Sequence, residues 1–191
     1  MKPTLLLHSC CGPCSSAVIE RLMANFSITV FYYNPCIHPE EEYVKRKNTQ
    51  LELIADLNKD LNAGIKFLDC DYDAEKYFEL TKGLENEREG GARCNVCFLQ
   101  RLEKTATVAK ENGFDYFTTT LTVSPHKNAE LINQIGNSLS EKYDIKFLPS
   151  NFKKQNGYLR SIQLSKQYSL YRQNYCGCIY SKREANGEKQ K

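Results

Sequence analysis

Leu5-Leu6-Leu7-His8-Ser9-Cys10-Cys11-Gly12-Pro13-Cys14-Ser15-Ser16 is the stretch on which the fold turns. An apolar run stops abruptly at three cysteines, Cys10, Cys11 and Cys14, with Gly12 and Pro13 among them. Neighbouring side chains in an extended segment point opposite ways, so an adjacent Cys-Cys is awkward inside a strand. At a strand-to-helix turn both thiols can face one site. Pro13 suits the first turn of a helix, where its missing N–H costs nothing. The expectation is a strand over Thr4 to His8, a thiol-bearing turn, and a helix through Val18, Leu22 and Met23 to about Asn25.

The same alternation continues outward. Ile28 to Tyr33 is β-branched and aromatic and predicts a second strand. Glu40 to Asp60 has helical spacing, with acids at the end where the helix dipole favours them. Ile65 to Leu68 predicts a third strand, and Asp73 a cap for a helix ending near Gly83. Glu85 to Arg93 is polar, holds Gly90-Gly91 and predicts a flexible loop, with Asn95 capping a helix that Gly113 stops. Tyr116 to Val123 and Ile145 to Leu148 predict the fourth and fifth strands, separated by a helix over Asn128 to Tyr143. A last helix is expected over about Tyr158 to Tyr168. The pattern is α/β with a mainly parallel five-stranded sheet. Residues 1–180 are expected to form a single metal-binding domain, and 181–191, charged and Gly-containing, a disordered tail.

The chain has 191 residues, net charge +3 and nine cysteines. Nine is odd and the chain is long, so a secreted disulfide scaffold fits poorly. Only a short apolar run follows Met1-Lys2, too short for a signal peptide or a membrane span. A cytoplasmic location and no membrane partner are expected, and there clustered cysteines mean metal or redox chemistry more often than structural bridges.

In a parallel α/β sheet ligands bind beyond the carboxyl ends of the strands. Cys10, Cys11 and Cys14 follow the first strand, Cys36 the second and Cys70 the third. Cys94-x-x-Cys97 at a loop-to-helix junction is a bidentate metal signal when a second pair exists, and Cys10-Cys11 can be that pair. Such a thiolate set suits an iron–sulfur cluster or zinc; a zinc site that merely staples the Gly-rich loop is the plain structural alternative. Cys176-Gly177-Cys178 suits a redox couple or two ligands to one metal, because a bridge across one residue is strained and easily reduced. Cys36 and Cys70 read as small buried hydrophobes. His8, His38 and His126 are not assigned as ligands. Cys11-Gly12-Pro13-Cys14 also matches the thioredoxin tetrapeptide, which keeps a thiol–disulfide oxidoreductase open as the alternative function. Lys45-Arg46-Lys47 and Lys153-Lys154 read as solvated surface rather than phosphate contacts, and Tyr171 and Arg172 as equally suited to packing or to a nucleoside.

Five segments taken together carry a resemblance. They are Cys10-Cys11-Gly12-Pro13; Tyr33-Asn34-Pro35 with Ile37-His38-Pro39 and Glu42-Tyr43; Arg93-Cys94-x-x-Cys97-Phe98 with Arg101-Leu102; Thr120-Leu121 with Ser124-Pro125; and Tyr171-Arg172-Gln173 with Tyr175-Cys176-Gly177-Cys178. Together they resemble the QueH family, cobalamin-independent epoxyqueuosine reductases. The resemblance implies a Rossmann-like, HUP-type three-layer fold. It implies a [4Fe–4S] cluster on Cys10, Cys11, Cys94 and Cys97, and a redox-active pair, Cys176 and Cys178, which can also hold a second iron. Cys14 stands where some relatives have an acid and is a further possible ligand; Cys36 stands where Asn is expected. The implied reaction is the last step of queuosine biosynthesis, removal of the epoxide oxygen at the tRNA wobble position. The implied partners are the modified tRNA and an external electron donor.

Overall fold

The computed structural model describes residues 1–187. Five strands, β1 (Thr4–His8), β2 (Ser27–Tyr32), β3 (Lys66–Asp69), β4 (Tyr116–Thr119) and β5 (Lys146–Phe147), form one all-parallel sheet in the order β3-β2-β1-β4-β5. The central strand β1 pairs Leu6 with Thr29 on one side and with Phe117 on the other. Its three leucines are fully buried, as an apolar run between two covered faces must be. Burying each contributes about 1.5–3 kcal/mol.

Period-two alternation sends these leucines into different cores. Leu5 and Leu7 join Val30 and the inner faces of α1 (Gly12–Leu22) and α2 (Glu40–Leu61). Leu6 joins Phe31, Phe117 and the inner faces of α4 (Ala92–Glu111) and α5 (Ala129–Tyr143). The result is a three-layer, Rossmann-like α/β sandwich. A short helix, α3 (Ala74–Leu80), precedes α4, and α6 (Gly157–Gln167) packs on α1. After β1 the chain moves outward to β2 and β3, then crosses back to β4. The strand order therefore reverses between β1 and β4, and a crevice opens there beyond the carboxyl ends of the strands.

Three boundaries differ from expectation for local reasons. Helix α4 starts at Ala92 and not after Asn95, because the Glu87 carboxylate accepts the Ala92 N–H at 3.2 Å and caps the helix from upstream. Strand β4 stops at Thr119 and passes into a 3₁₀ turn, Thr120–Val123, because Thr119 Oγ1 accepts the Leu121 N–H at 3.1 Å. The disordered tail expected from residue 181 instead opens with a helix, α7 (Ile179–Ala185). Cys178 Sγ accepts the Ser181 N–H at that helix start, and Tyr180 is buried beneath the Arg93 guanidinium, 4.3 Å from its ring centre. Residues 188–191 of the expected tail lie outside the described residues.

Candidate metal centre

The crevice is floored by the turn after β1. Cys10, Cys11 and Cys14 place their sulfurs all within 4.8 Å of one another, with Cys10 and Cys11 buried. The turn is held from several sides. Ser9 N–H donates to Phe31 O at 2.9 Å, Asn34 Nδ2 to Ser9 O at 2.8 Å, and the Ser9 and Ser15 hydroxyls both to Gln50 Oε1 at 2.7 Å. Gly12 is needed because a Cβ there would stand 3.0 Å from Thr49 O, so α1 starts in contact with α2. The three thiols share protons. Hydrogen bonds from Cys11 and then Cys14 hold Cys10 well below the usual thiol range, aided by the charges of Lys127 and Arg101. The hydrogen bond to Cys10 pushes Cys11 up to about 11, and bonds to Cys10 and Cys11 raise Cys14.

The start of α4 supplies a second group. Cys94, Cys97 and Arg101 recur at spacings that share one helix face. They line a cavity of about 410 Å³ with Cys36, Cys176 and Cys178. The Cys97 thiol meets Cys36, and that hydrogen bond, helped by Arg101, pulls Cys36 down to about 6 against the effect of burial. Gly90 N–H donates to Cys94 Sγ at 3.2 Å. The Gly-rich loop is not free: Arg93, 1% exposed, donates to the carbonyls of Leu84, Glu85 and Glu87.

Arg101 is only 2% exposed. Its Nε donates to Cys97 O at 3.1 Å, while one terminal nitrogen is buried without a hydrogen-bond partner among the described residues. Burial opposes its charge, and the thiols of Cys97, Cys36 and Cys176 outweigh that and keep it cationic. Lys127 is kept cationic by the same balance, with the sulfurs of Cys176, Cys10 and Cys14 facing it. A thiol-rich cavity with one buried cation, Arg101, and one half-buried cation, Lys127, is suited to an anionic metal–thiolate group.

The third element is the segment after α6. Buried Arg46 of α2 donates to Cys176 O at 2.8 Å and Tyr175 O at 3.3 Å, and pairs with Glu42 at 2.7 Å. The Tyr171 hydroxyl donates to the same Glu42 at 3.0 Å. Gly177 adopts φ 141°, and a Cβ there would stand 3.0 Å from Ile37 and 3.1 Å from Arg46. Only glycine fits between the two cysteines. A groove of about 560 Å³ runs along this segment, lined by Cys10, Cys14, Ser124, Tyr158, Arg172 and Gln173 among others. It shares Glu89, His126, Lys127 and Cys176 with the first cavity.

Among the described residues, Cys10, Cys11 and Cys14 form the one compact triad of metal-ligating atoms. Cys94 and Cys97 belong instead to the adjoining cavity, with Cys176 and Cys178, and Cys176 reaches both spaces. Cys36 is buried as expected, but against Cys97 and not merely in a core. Cys70 is partly buried and lines neither space. His8 is wholly buried between Thr119 Oγ1, 2.9 Å from Nδ1, and Tyr33 O, 3.1 Å from Nε2. Burial first and Arg101 second push it down to about 3, so it stays neutral and fully hydrogen-bonded.

Sequence reasoning missed Arg46, Lys127 and the Cys36–Cys97 contact. Arg46 is not solvated surface: it is buried and anchors the cysteine-bearing segment. Its neighbours do lie at the surface, Lys45 over the Tyr171 ring at 3.7 Å and Lys47 paired with Asp69. Lys153 donates to Lys127 O at 2.8 Å, and Lys154 is exposed. The spacing of Arg101 from Cys94 and Cys97 was a readable signal; no local pattern marks Cys36 or Lys127.

Among the described residues no helix is long and apolar enough to cross a membrane. Comparison with known proteins converges on one family. The family model described as "Epoxyqueuosine reductase QueH" matches residues 5–184. A protein of that name from Streptococcus pyogenes serotype M1 is 45% identical over 181 residues, covering 95% of this chain and 71% of the relative. One from Staphylococcus epidermidis is 43% identical, covering 94% of this chain and 76% of the relative. One from Thermotoga maritima is 36% identical, covering 97% and 95%. With the motif-bearing turns, the thiol groups and the match all falling on the same span, the chain belongs to the QueH family of epoxyqueuosine reductases.

Proposed function

We propose that this chain reduces epoxyqueuosine to queuosine in tRNA, with residues 1–180 acting as one metal-binding domain. The observation that carries the reading is the meeting of two thiol groups at Cys176, in the crevice where this sheet opens. The reaction takes two electrons and two protons: both C–O bonds of the epoxide break, a C=C bond forms, and the oxygen leaves as water. Cys10, Cys11, Cys94 and Cys97 would hold a [4Fe–4S] cluster, with Cys14, Cys176 and Cys178 available to a second iron. When bound, the cluster supplies electrons singly and an adjacent iron a Lewis acid for the epoxide oxygen.

The chain's own groups do the rest. Arg101 and Lys127 offset the negative charge of the thiolates, which grows on reduction. The groove residues Tyr158, half-buried, and Arg172, exposed, with 5.4 Å between guanidinium and ring centre, offer a flat cationic face to a nucleoside. His126, exposed and bordering both spaces, is placed to exchange protons with solvent. The substrate is tRNA carrying epoxyqueuosine, and electrons come from an external donor.

The experiment is oxygen-free purification. The protein is expected to be brown, with about four or more irons and acid-labile sulfide per chain. A colourless protein with one zinc defeats the enzyme reading in favour of a structural site, and a metal-free protein that reduces insulin disulfides favours a thioredoxin-like one.

A second prediction separates the cysteines. Cys10→Ser, Cys11→Ser, Cys94→Ser and Cys97→Ser are each expected to lose or damage the cluster, visible as lost absorbance and iron. Cys70→Ser is expected to be mild. Cys36→Ser is expected to keep the iron, because serine can still meet Cys97. Bleaching by Cys36→Ser as complete as by Cys94→Ser would make Cys36 a ligand.

A further inference from the structure

Gln173 lies three residues before Cys176 in the segment that borders the groove. Its Nε2 donates to Cys11 Sγ at 3.0 Å. Its Oε1 is buried and has no hydrogen-bond partner among the described residues. The residue lines the groove with Cys10, Cys14 and Cys176. Chemistry decides which way the amide faces. A thiolate on iron only accepts hydrogen bonds, so the N–H end belongs to Cys11 and the oxygen is the unengaged end. Buried acceptors in native proteins are nearly always paired, so one left open beside a groove marks a place where a donor arrives.

We infer that Gln173 is a specificity-determining residue: anchored by Cys11, its carbonyl oxygen accepts a hydrogen bond from a hydroxyl or ammonium of the hydroxylated cyclopentylamine group on the modified base. The inference rests on the reductase reading and on Cys11 as a cluster ligand. An unmodified guanine lacks that group and leaves the oxygen unpaired, which is how a buried polar group rejects the wrong substrate. The same amide has a second consequence. Its N–H···S bond favours the more negatively charged, reduced cluster and so raises the reduction potential.

The test uses iron-loaded protein prepared without oxygen as wild type, Q173M and Q173E. Three quantities are read: iron content, the reduction potential from an EPR-monitored titration, and the binding ratio between epoxyqueuosine-containing tRNA and the same tRNA with guanine at that position. Q173M, close in shape but without either polar end, is expected to keep its iron, shift to a more negative potential, and lose about tenfold of the ratio, the scale of one hydrogen bond. Q173E keeps an acceptor but loses the N–H, so the potential falls while the ratio holds. An unchanged ratio in iron-replete Q173M overturns the proposal. If Q173M does not fold, Q173E decides alone: an unchanged potential, or a lost ratio at full iron, overturns it. A wild-type protein that binds both tRNAs equally overturns the proposal at once, whereas one that binds the modified tRNA selectively but forms no queuosine from it with reductant fails at the reductase reading instead.

Discussion

Cys176→Ser or Cys178→Ser is expected to lower conversion of epoxyqueuosine-containing tRNA by at least roughly a hundredfold, the scale on which loss of a catalytic group shows. The brown colour and most of the cluster iron are expected to stay. The separation follows from placement. Cys10 and Cys11 are fixed by the turn after β1, and Cys94 and Cys97 by the first two turns of α4. Cys176 and Cys178 come from the segment after α6, and only Cys176 borders both the cavity and the open groove. Burial pushes the Cys176 thiol up to about 12, while Lys127 and Arg101 pull the other way. The group is therefore held as a thiol in the metal-free protein; it loses its proton on binding a metal, or gives up a proton and an electron, as Cys178 does, when the pair closes to a disulfide. Both routes place it in turnover. The assay is reductant plus modified tRNA, with nucleosides analysed after digestion. Near-normal product from the double serine variant would remove the pair from the mechanism and leave the cluster to act alone.

The parts of this molecule that sequence made legible are those set by local rules. Leu5-Leu6-Leu7 followed by Gly12-Pro13 has one sensible reading, a buried strand turning into a helix, and β1 and α1 are that. Alternation of strand and helix then places Cys10, Cys11 and Cys14 at the crevice without any distance being known. What stayed hidden depends on contacts between distant segments. The start of α4 is set by Glu87, upstream of the residues with cap chemistry of their own. Helix α7 looks too charged and too short to stand alone; the Cys178 cap on Ser181 and the Arg93 guanidinium over Tyr180 tie it to the fold. Cys36 meets Cys97 across 61 positions of sequence, which no spacing rule anticipates. Arg46 is the largest miss, since a Lys-Arg-Lys triplet on a polar helix is ordinarily solvent-facing.

Arg46→Met is expected to destabilise the fold by about 3–5 kcal/mol, the usual cost of breaking a buried ion pair from one side. The Arg46 side chain is 0% exposed and that of Glu42 12%. Burial works against the arginine's charge, and the Cys11 thiol and the Glu42 carboxylate more than offset it. Removing the guanidinium strands three acceptors: Glu42 and the carbonyls of Tyr175 and Cys176. Glu42 still receives the Tyr171 hydroxyl, so the carbonyls bear much of the loss. Those carbonyls belong to the segment that carries Cys176, so the change is expected to act on the site as well as on stability. Limited proteolysis should open a new cleavage near Tyr175, and reductase activity should fall with it. Arg46→Lys supplies a point charge but no fork, and is expected to fall between. Calorimetry on E42Q, R46M and the double variant separates the contributions. If the stranded carboxylate dominates, E42Q/R46M recovers most of the stability; if the carbonyls dominate, it recovers little and the proteolytic site persists. An R46M protein with the wild-type melting temperature and an uncut segment would show that the turn around Gly177, with its φ of 141°, holds Cys176 in place unaided.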